Sequence, residues 1–121
     1  MQLTLISRRS KVPKADLKGQ LVIDGRFEWW SKKNEANIAK HHYSFKEIEK
    51  VFDDPYFYEI YDANHSTVEQ IRYVGLGTIA EKFLALQVSY TETERIHIIS
   101  ARDATPKERE AYFERLRRFY R

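Results

Sequence analysis

The sequence predicts an α+β fold, an antiparallel sheet with its helices in separate blocks, in the order β-α-α-β-β-β-β-α. Three observations predict it. Four apolar runs in the second half alternate with a period of two, as half-buried strands do. The links between the later runs, near residues 62–68, 77–82 and 91–94, are short enough for antiparallel neighbours. Two helical segments stand together before those strands and one after them, which is the pattern of helices packed on one sheet.

The elements follow in order. Residues 1–20 hold five Lys/Arg (Arg8, Arg9, Lys11, Lys14, Lys18) against Asp16, have weak periodicity and end at Gly19, so they read as a basic, poorly ordered extension. Residues 21–30 read as a strand with Gly25 as a turn or bulge within it. Ser31 is a candidate N-cap for a helix over residues 31–41. A second helix starts at Tyr43-Ser44. Ser44 and Glu47 have capping-box spacing, and Tyr43 and Ile48 are placed as a hydrophobic staple. Its face of Phe45, Ile48, Val51 and Phe52 calls for burial, and Asp53-Asp54-Pro55 ends it.

The four strands are expected at residues 56–61, 70–77, 83–90 and 95–102. The second places Ile71, Tyr73 and Gly75 opposite Arg72, Val74 and Leu76. In the last, regular pairing puts Arg95 and His97 on one face and Ser100 and Arg102 on the other. Ile98 and Ile99 are both apolar, however, and a bulge there returns Arg102 to the side of His97. Thr105-Pro106 with Glu108 opens the last helix with a cap, a first-turn proline and a capping glutamate, and Tyr112, Leu116 and Phe119 form its apolar stripe.

Composition excludes several classes. The chain has 121 residues, 42% hydrophobic and 32% charged, enough for one core and short of two. Its longest apolar run falls far below the roughly 20 residues of a membrane span. No apolar stretch of signal-peptide length precedes the basic groups, so secretion is not expected and the cytoplasm is the expected compartment. With no cysteine, disulfide scaffolds, thiolate metal sites and thiol nucleophiles drop out. The net charge of +3 is uneven: residues 105–121 carry six Lys/Arg against three Glu, whereas residues 47–62 are acidic. Such zoning suits a polyanion on one face and a basic partner on another, or simply a solvated surface.

No P-loop, dinucleotide turn or nucleophile elbow is present. The histidines (His41, His42, His65, His97) lack metal spacing, and no metal or cofactor is expected. The groups left for chemistry are Lys40 and His41 at a helix end, Glu69 and Arg72 at a strand start, and Arg95, His97, Ser100 and Arg102 on the last strand. Each also has a structural reading. The helix macrodipole favours Lys40 and His41 where they stand, and Glu69 with Arg72 suits a plain surface pair.

The stretch Phe27-Glu28-Trp29, then Asn34, Asn37, Lys40-His41, Ser44-Phe45 and Val51-Phe52-Asp53-Asp54-Pro55, resembles the BrnT family of ribonuclease toxins. So do Asp62, His65-Ser66, Glu69, Arg72, Gly75 and the closing run from Arg95 to Thr105, with its Ile-Ile-Ser-Ala-Arg core; the likeness spans about residues 23–112. The resemblance implies a single toxin domain over residues 21–121 with a RelE-like fold. It implies an endoribonuclease that cleaves RNA and stops translation. It also implies a small ribbon-helix-helix antitoxin of the BrnA type in a 2:2 complex, with promoter DNA bound only through the antitoxin. The last helix and the acidic 47–62 zone are the candidate contacts for that partner.

Three positions depart from the family pattern. Trp30 stands where Asp is usual, which removes a helix cap that Ser31 can supply. His42 stands where a glycine makes a left-handed turn. His97 stands where a second Arg is usual. For metal-independent RNA cleavage, the expected roles are a phosphate clamp of Arg72 and Arg102 assisted by Arg95, His41 or Glu69 as general base or acid, and Lys40, His97 and Ser100 on the RNA backbone. The alternative is an antitoxin-binding corepressor module that no longer cuts, favoured by His97 and His42.

Overall fold

The computed structural model describes residues 17–80 and 84–119. The expected extension over residues 1–20 therefore lies mostly outside the described residues. Strands β1 (Leu21–Asp24) and β2 (Phe27–Trp30) are followed by helix α1 (Ser31–His41), the single turn α2 (Phe45–Ile48) and a 3₁₀ continuation over Glu49–Asp53. Then come β3 (Tyr58–Tyr61), a 3₁₀ turn over Ala63–His65, β4 (Arg72–Thr78), β5 (Ala85–Glu92), β6 (Ile96–Asp103) and helix α3 (Pro106–Phe119). The element order is the expected one, and the later strands fall within two residues of their expected starts.

Two features differ from the reading of the sequence. The first strand is a hairpin: Gly25, at φ 61°, turns the chain so that Asp24 pairs with Phe27 and Leu21 with Trp30. The six-stranded sheet, ordered β1-β2-β6-β5-β4-β3, is mixed, because β2 lies parallel to β6. All its other pairings are antiparallel. Link length governs only strands adjacent in sequence. β2 and β6 are joined through most of the domain, so nothing local specified their direction.

Both faces of the sheet are covered, unequally. On one face α2 and the 3₁₀ segment bury Phe45, Ile48 and Val51 against Leu86, Val88, Tyr90, Ile98 and Ala101, while α1 lies along β6. Phe52 packs there on Phe27, Phe57 and Tyr90 at ring-centroid distances of 4.9–5.2 Å. On the other face α3 covers one end only, where Tyr112, Phe113 and Leu116 meet Leu76, Ala85, Ala104 and Tyr58. Asp54 ties the two layers together. It accepts from the backbone N–H groups of Tyr56 and Thr78 and from the Tyr112 hydroxyl.

The expected caps have mixed outcomes. Ser44 accepts from Glu47 N at 3.1 Å, and Thr105 and Glu108 cap each other reciprocally at 2.8 and 3.2 Å. Ser31 does not cap α1. The cap residue is Trp30, which makes no side-chain cap bond, and the Ser31 hydroxyl instead accepts from Gln20 N, holding the lead-in to β1. His42 takes the left-handed conformation at φ 68° that ends α1.

The two asparagines of α1 work as backbone pins. Asn34 accepts from Phe45 N at 2.8 Å. Asn37, buried, donates to Tyr43 O and accepts from Ala101 N of β6 at 3.0 Å. Beyond Glu28↔His97 the edge of β6 has no strand partner on that side among the described residues, and the Asn37 amide fills one of its hydrogen-bonding positions there.

Candidate functional site

The end of the sheet that α3 leaves bare carries one row of side chains drawn from four strands. Glu28 of β2 is opposite His97 of β6, His97 is opposite Thr91 of β5, and Thr91 is opposite Arg72 of β4. In-register partners share a face of the sheet. With strands about 4.8 Å apart, the Arg72 and His97 backbones stand about 10 Å from each other across Thr91. This row floors an open cleft of about 440 Å³ walled by Trp30, Lys18, Lys33 and Gln70.

Local chemistry sets each member in place. Arg72 is the first residue of β4. Its N–H donates to the Ser66 hydroxyl at 2.8 Å, and its carbonyl accepts from Asp62 N at 2.9 Å. The Ser66 hydroxyl in turn donates to Asp62 O at 2.7 Å, and His65 Nδ1 lies 2.9 Å from the Asp62 carboxylate. The Asp62, His65 and Ser66 elements of the family pattern thus serve to hold the start of β4. His97 Nδ1 is 2.8 Å from Glu28 Oε2, and Arg95 approaches the other Glu28 oxygen at 3.8 Å. The carboxylate fixes the imidazole on one side. Nε2 makes no hydrogen bond among the described residues.

The electrostatics of the cleft favour an anion. Arg72 has no carboxylate in ion-pair range among the described residues, and its Nε is buried with no hydrogen-bond partner. A buried donor left without a partner costs on the order of 1–3 kcal/mol, more when charged. Lys18 and Lys33 add positive charge, while Glu28, the one carboxylate lining the cleft among the described residues, is engaged by His97 and Arg95. A phosphate entering here would give Arg72 its missing partner and lie in a field already positive.

The remaining expected site residues fall into two groups. The pairing of β5 with β6 shifts register between Ser89 and Tyr90, so that Ile99 is the extra residue of a bulge. That bulge brings Ser100 and Arg102 to the face of His97, as its conditional reading from the two isoleucines required. Arg102 nonetheless lies opposite Gln87, four residues along β5 from Thr91, or about 13 Å. Its guanidinium forks onto Glu108 at 2.8 and 3.2 Å and donates to Asp103 O. Burial works to raise the Glu108 pKa, but the hydrogen bonds from Arg102 and Thr105 and the nearby positive charge outweigh it and hold the carboxyl below its usual range.

Lys40 and His41 lie between Asn37, pinned to Ala101, and Tyr43, whose hydroxyl donates to Asp103. They therefore stand at the 101–103 end of β6 and away from Arg72. Glu69 is exposed on the loop before β4 and does not line the cleft. The structure thus unites Arg72 and His97 with Arg95 close by. It gathers Arg102, Lys40 and His41 at the far end of the same sheet, and it does not bring the two guanidiniums to one point. Of the residues lining the cleft, only Arg72 and His97 were expected as site residues from the sequence; Glu28, Trp30, Lys33 and Thr91 were not given a site role. The alternation of residues 83–90 stopped short of Thr91, and the parallel β2–β6 contact that recruits Glu28 leaves no local trace.

A small α+β domain with a half-covered sheet and a cationic, imidazole-bearing cleft at its bare end defines a protein suited to a phosphodiester polyanion. The family model described as "Ribonuclease toxin, BrnT, of type II toxin-antitoxin system" matches residues 29–108, and the chain belongs to that family. Membership implies an antitoxin as partner. No curated protein matches the chain. Among the described residues no helix is long and apolar enough to cross a membrane.

Proposed function

We propose that the chain is an endoribonuclease toxin that cleaves RNA by transesterification through the RNA's own 2′-hydroxyl, with no metal, in the Arg72–His97 cleft. The observation that carries this reading is the buried, unpartnered Arg72 Nε beside an imidazole held by a carboxylate. The chemistry requires three things. The 2′-hydroxyl proton must leave, charge building on the phosphorane oxygens must be met, and the departing 5′-oxygen must gain a proton. Arg72 offers the fork for the phosphate. His97 offers Nε2 for proton transfer while Glu28 holds Nδ1 and sets the tautomer. The 2′-oxygen attacks phosphorus, the P–O5′ bond breaks, and a cyclic phosphate and a free 5′-hydroxyl result.

In this assignment His97 takes the proton-transfer role assigned from the sequence to His41 or Glu69, neither of which lines the cleft. Ser100 and Arg102 extend the same face, and Lys40 and His41 stand at its 101–103 end; all four would meet RNA backbone beyond the scissile phosphate. A cytoplasmic toxin of this kind would stop translation by destroying message. A ribbon-helix-helix antitoxin of the BrnA type, in a 2:2 complex, would neutralise it and carry the complex to promoter DNA. The acidic zone around Asp53 and Glu59 offers a basic antitoxin segment complementary charge.

Expression of the chain alone is expected to arrest growth, and Arg72→Ala is expected to restore it. Purified protein is expected to cut RNA in excess EDTA. Cleavage lost on chelation would reject the metal-free mechanism. Antitoxin binding without any cutting would favour a corepressor module in its place.

A further inference from the structure

Trp30 is the last residue of β2, half-buried, and its indole forms one wall of the Arg72–His97 cleft. The His97 ring meets it at a centroid distance of 6.5 Å and an interplanar angle of 66°. The Lys18 ammonium lies over the ring at 5.2 Å. Trp30 is not part of either hydrophobic core cluster, and as the cap residue of α1 its side chain makes no cap bond. Its neighbour Trp29, by contrast, is 5% exposed and packs edge-on against Phe45. A large aromatic ring outside both core clusters of the described residues, with no capping bond and beside a phosphate-sized cationic spot, calls for an explanation.

We infer that Trp30 is a stacking platform for the nucleobase next to the phosphate held by Arg72, which makes unpaired, single-stranded RNA the substrate class of this cleft. This rests on the reading of the cleft as an RNA site. A base in a duplex has both faces covered by its neighbours, so only an unpaired base can present a face to the indole. Stacking is tolerant of base identity, because every base has a π-face.

Lys18 does not bar the ring. An exposed lysine on an aromatic face contributes only about 2- to 5-fold to an equilibrium, whereas removing an aromatic platform weakens single-strand binding about 5- to 100-fold per base. The base therefore displaces the ammonium. Lys18, on a flexible stem, then remains in the cleft to meet a phosphate of the same strand.

The test uses full-length protein and a fluorescent single-stranded 2′-O-methyl RNA oligomer, which lacks the attacking hydroxyl and cannot be cut. An abasic oligomer of the same length and a 2′-O-methyl duplex serve as companion probes. Trp30→Ala is expected to weaken binding of the base-bearing single strand about tenfold, Trp30→Phe less than threefold, and neither to change binding of the abasic strand. The duplex is expected to bind the wild type no better than the abasic strand does.

Because Trp30 is also the cap residue of α1, a second measurement leaves it in place. Trp29→Phe leaves Trp30 as the sole indole of the two in the chain, and its emission is expected to be quenched by the base-bearing strand and not by the abasic one. Equal loss on both strands in Trp30→Ala, or a bound base-bearing strand that leaves the Trp30 emission unchanged, would overturn the platform while leaving the nuclease reading intact. Failure of the wild type to bind any single strand would remove the RNA site itself.

Discussion

At the residue scale, the cleft depends on pairs in which one member frees or fixes the other. Glu28 holds His97 through Nδ1, and so leaves Nε2 as the nitrogen that can exchange a proton with substrate. Glu28→Gln keeps the shape but lets the ring take the wrong tautomer. It is expected to lower the cleavage rate about 10- to 100-fold with little change in substrate binding, which a kcat-against-KM comparison would check. A rate equal to wild type would remove Glu28 from the mechanism.

Part of this scale was legible in advance, and the reasons are local. Arg72, Arg95 and His97 were named as basic and imidazole groups near strand ends and through the family resemblance, whereas His41, Glu69 and Arg102, named with them, do not line the cleft. The Ile98-Ile99 pair signalled the bulge that reaims Ser100 and Arg102. The salt bridge that turns Arg102 onto Glu108 was not anticipated, although the capping glutamate was: a capping carboxylate has a second oxygen to offer, and a neighbouring strand end put a guanidinium within its reach.

At the element scale, the strain in the fold is concentrated at the joint between α1 and α2. His42 is the described residue other than glycine with positive φ, at 68°. Its backbone N–H bonds to Ile38 O, so the left-handed turn closes the helix at the cost of a side chain in an unfavourable region. His42→Gly is expected to stabilise the protein by about 1 kcal/mol in urea unfolding, the entropy lost by glycine offsetting part of the relieved strain. Destabilisation on that substitution would show that the imidazole makes a contact worth more than the strain.

The helices were legible because caps and prolines act within a few residues of each other. Ser44, Thr105, Glu108 and Pro55 all mark real element ends. The cap at Ser31 misled for the same reason. Its hydroxyl is recruited by Gln20, 11 residues away in sequence, and local rules see no such competitor.

At the scale of the whole molecule, the cleft is cationic, while Asp24 and Glu49 form a carboxyl pair beside Lys46. Burial, then hydrogen bonding to Asp24 and the charge of Asp24, push the Glu49 pKa up to about 7 against an ordinary 4.5, with Lys46 opposing. A carboxyl raised in this way binds its proton more tightly folded than unfolded. Its stabilising contribution is present below about pH 4.5 and is lost as pH rises toward 7. Stability is therefore expected to fall between pH 5 and pH 8 by about 1–2 kcal/mol from this group, and Glu49→Gln is expected to flatten that slope. Thermal melts across the range check it, and a slope unchanged in Glu49→Gln would assign it elsewhere.

Sheet order was the least legible property at this scale. Pairing β2 with β6 joins residues nearly seventy apart, Glu28 with His97, and creates the cleft. Periodicity reveals which residues are strands and which face is apolar, but two strands so distant in sequence carry no mark of their adjacency. The site was consequently visible as a set of candidates and not as one row across four strands.

The most direct measurement of the central claim is the single-turnover rate of RNA cleavage in EDTA by wild type, Arg72→Ala and Arg102→Ala, each first shown to be folded by its melting curve. Arg72→Ala is expected to lower the rate about 10²- to 10³-fold without loss of stability, since the Arg72 guanidinium has no carboxylate partner among the described residues and its Nε is unpartnered. Arg102→Ala is expected to stay within about tenfold of wild type and to lose about 1 kcal/mol of stability with its Glu108 fork. Wild-type cleavage by Arg72→Ala, or collapse of activity in Arg102→Ala alone, would place the reaction elsewhere on the sheet.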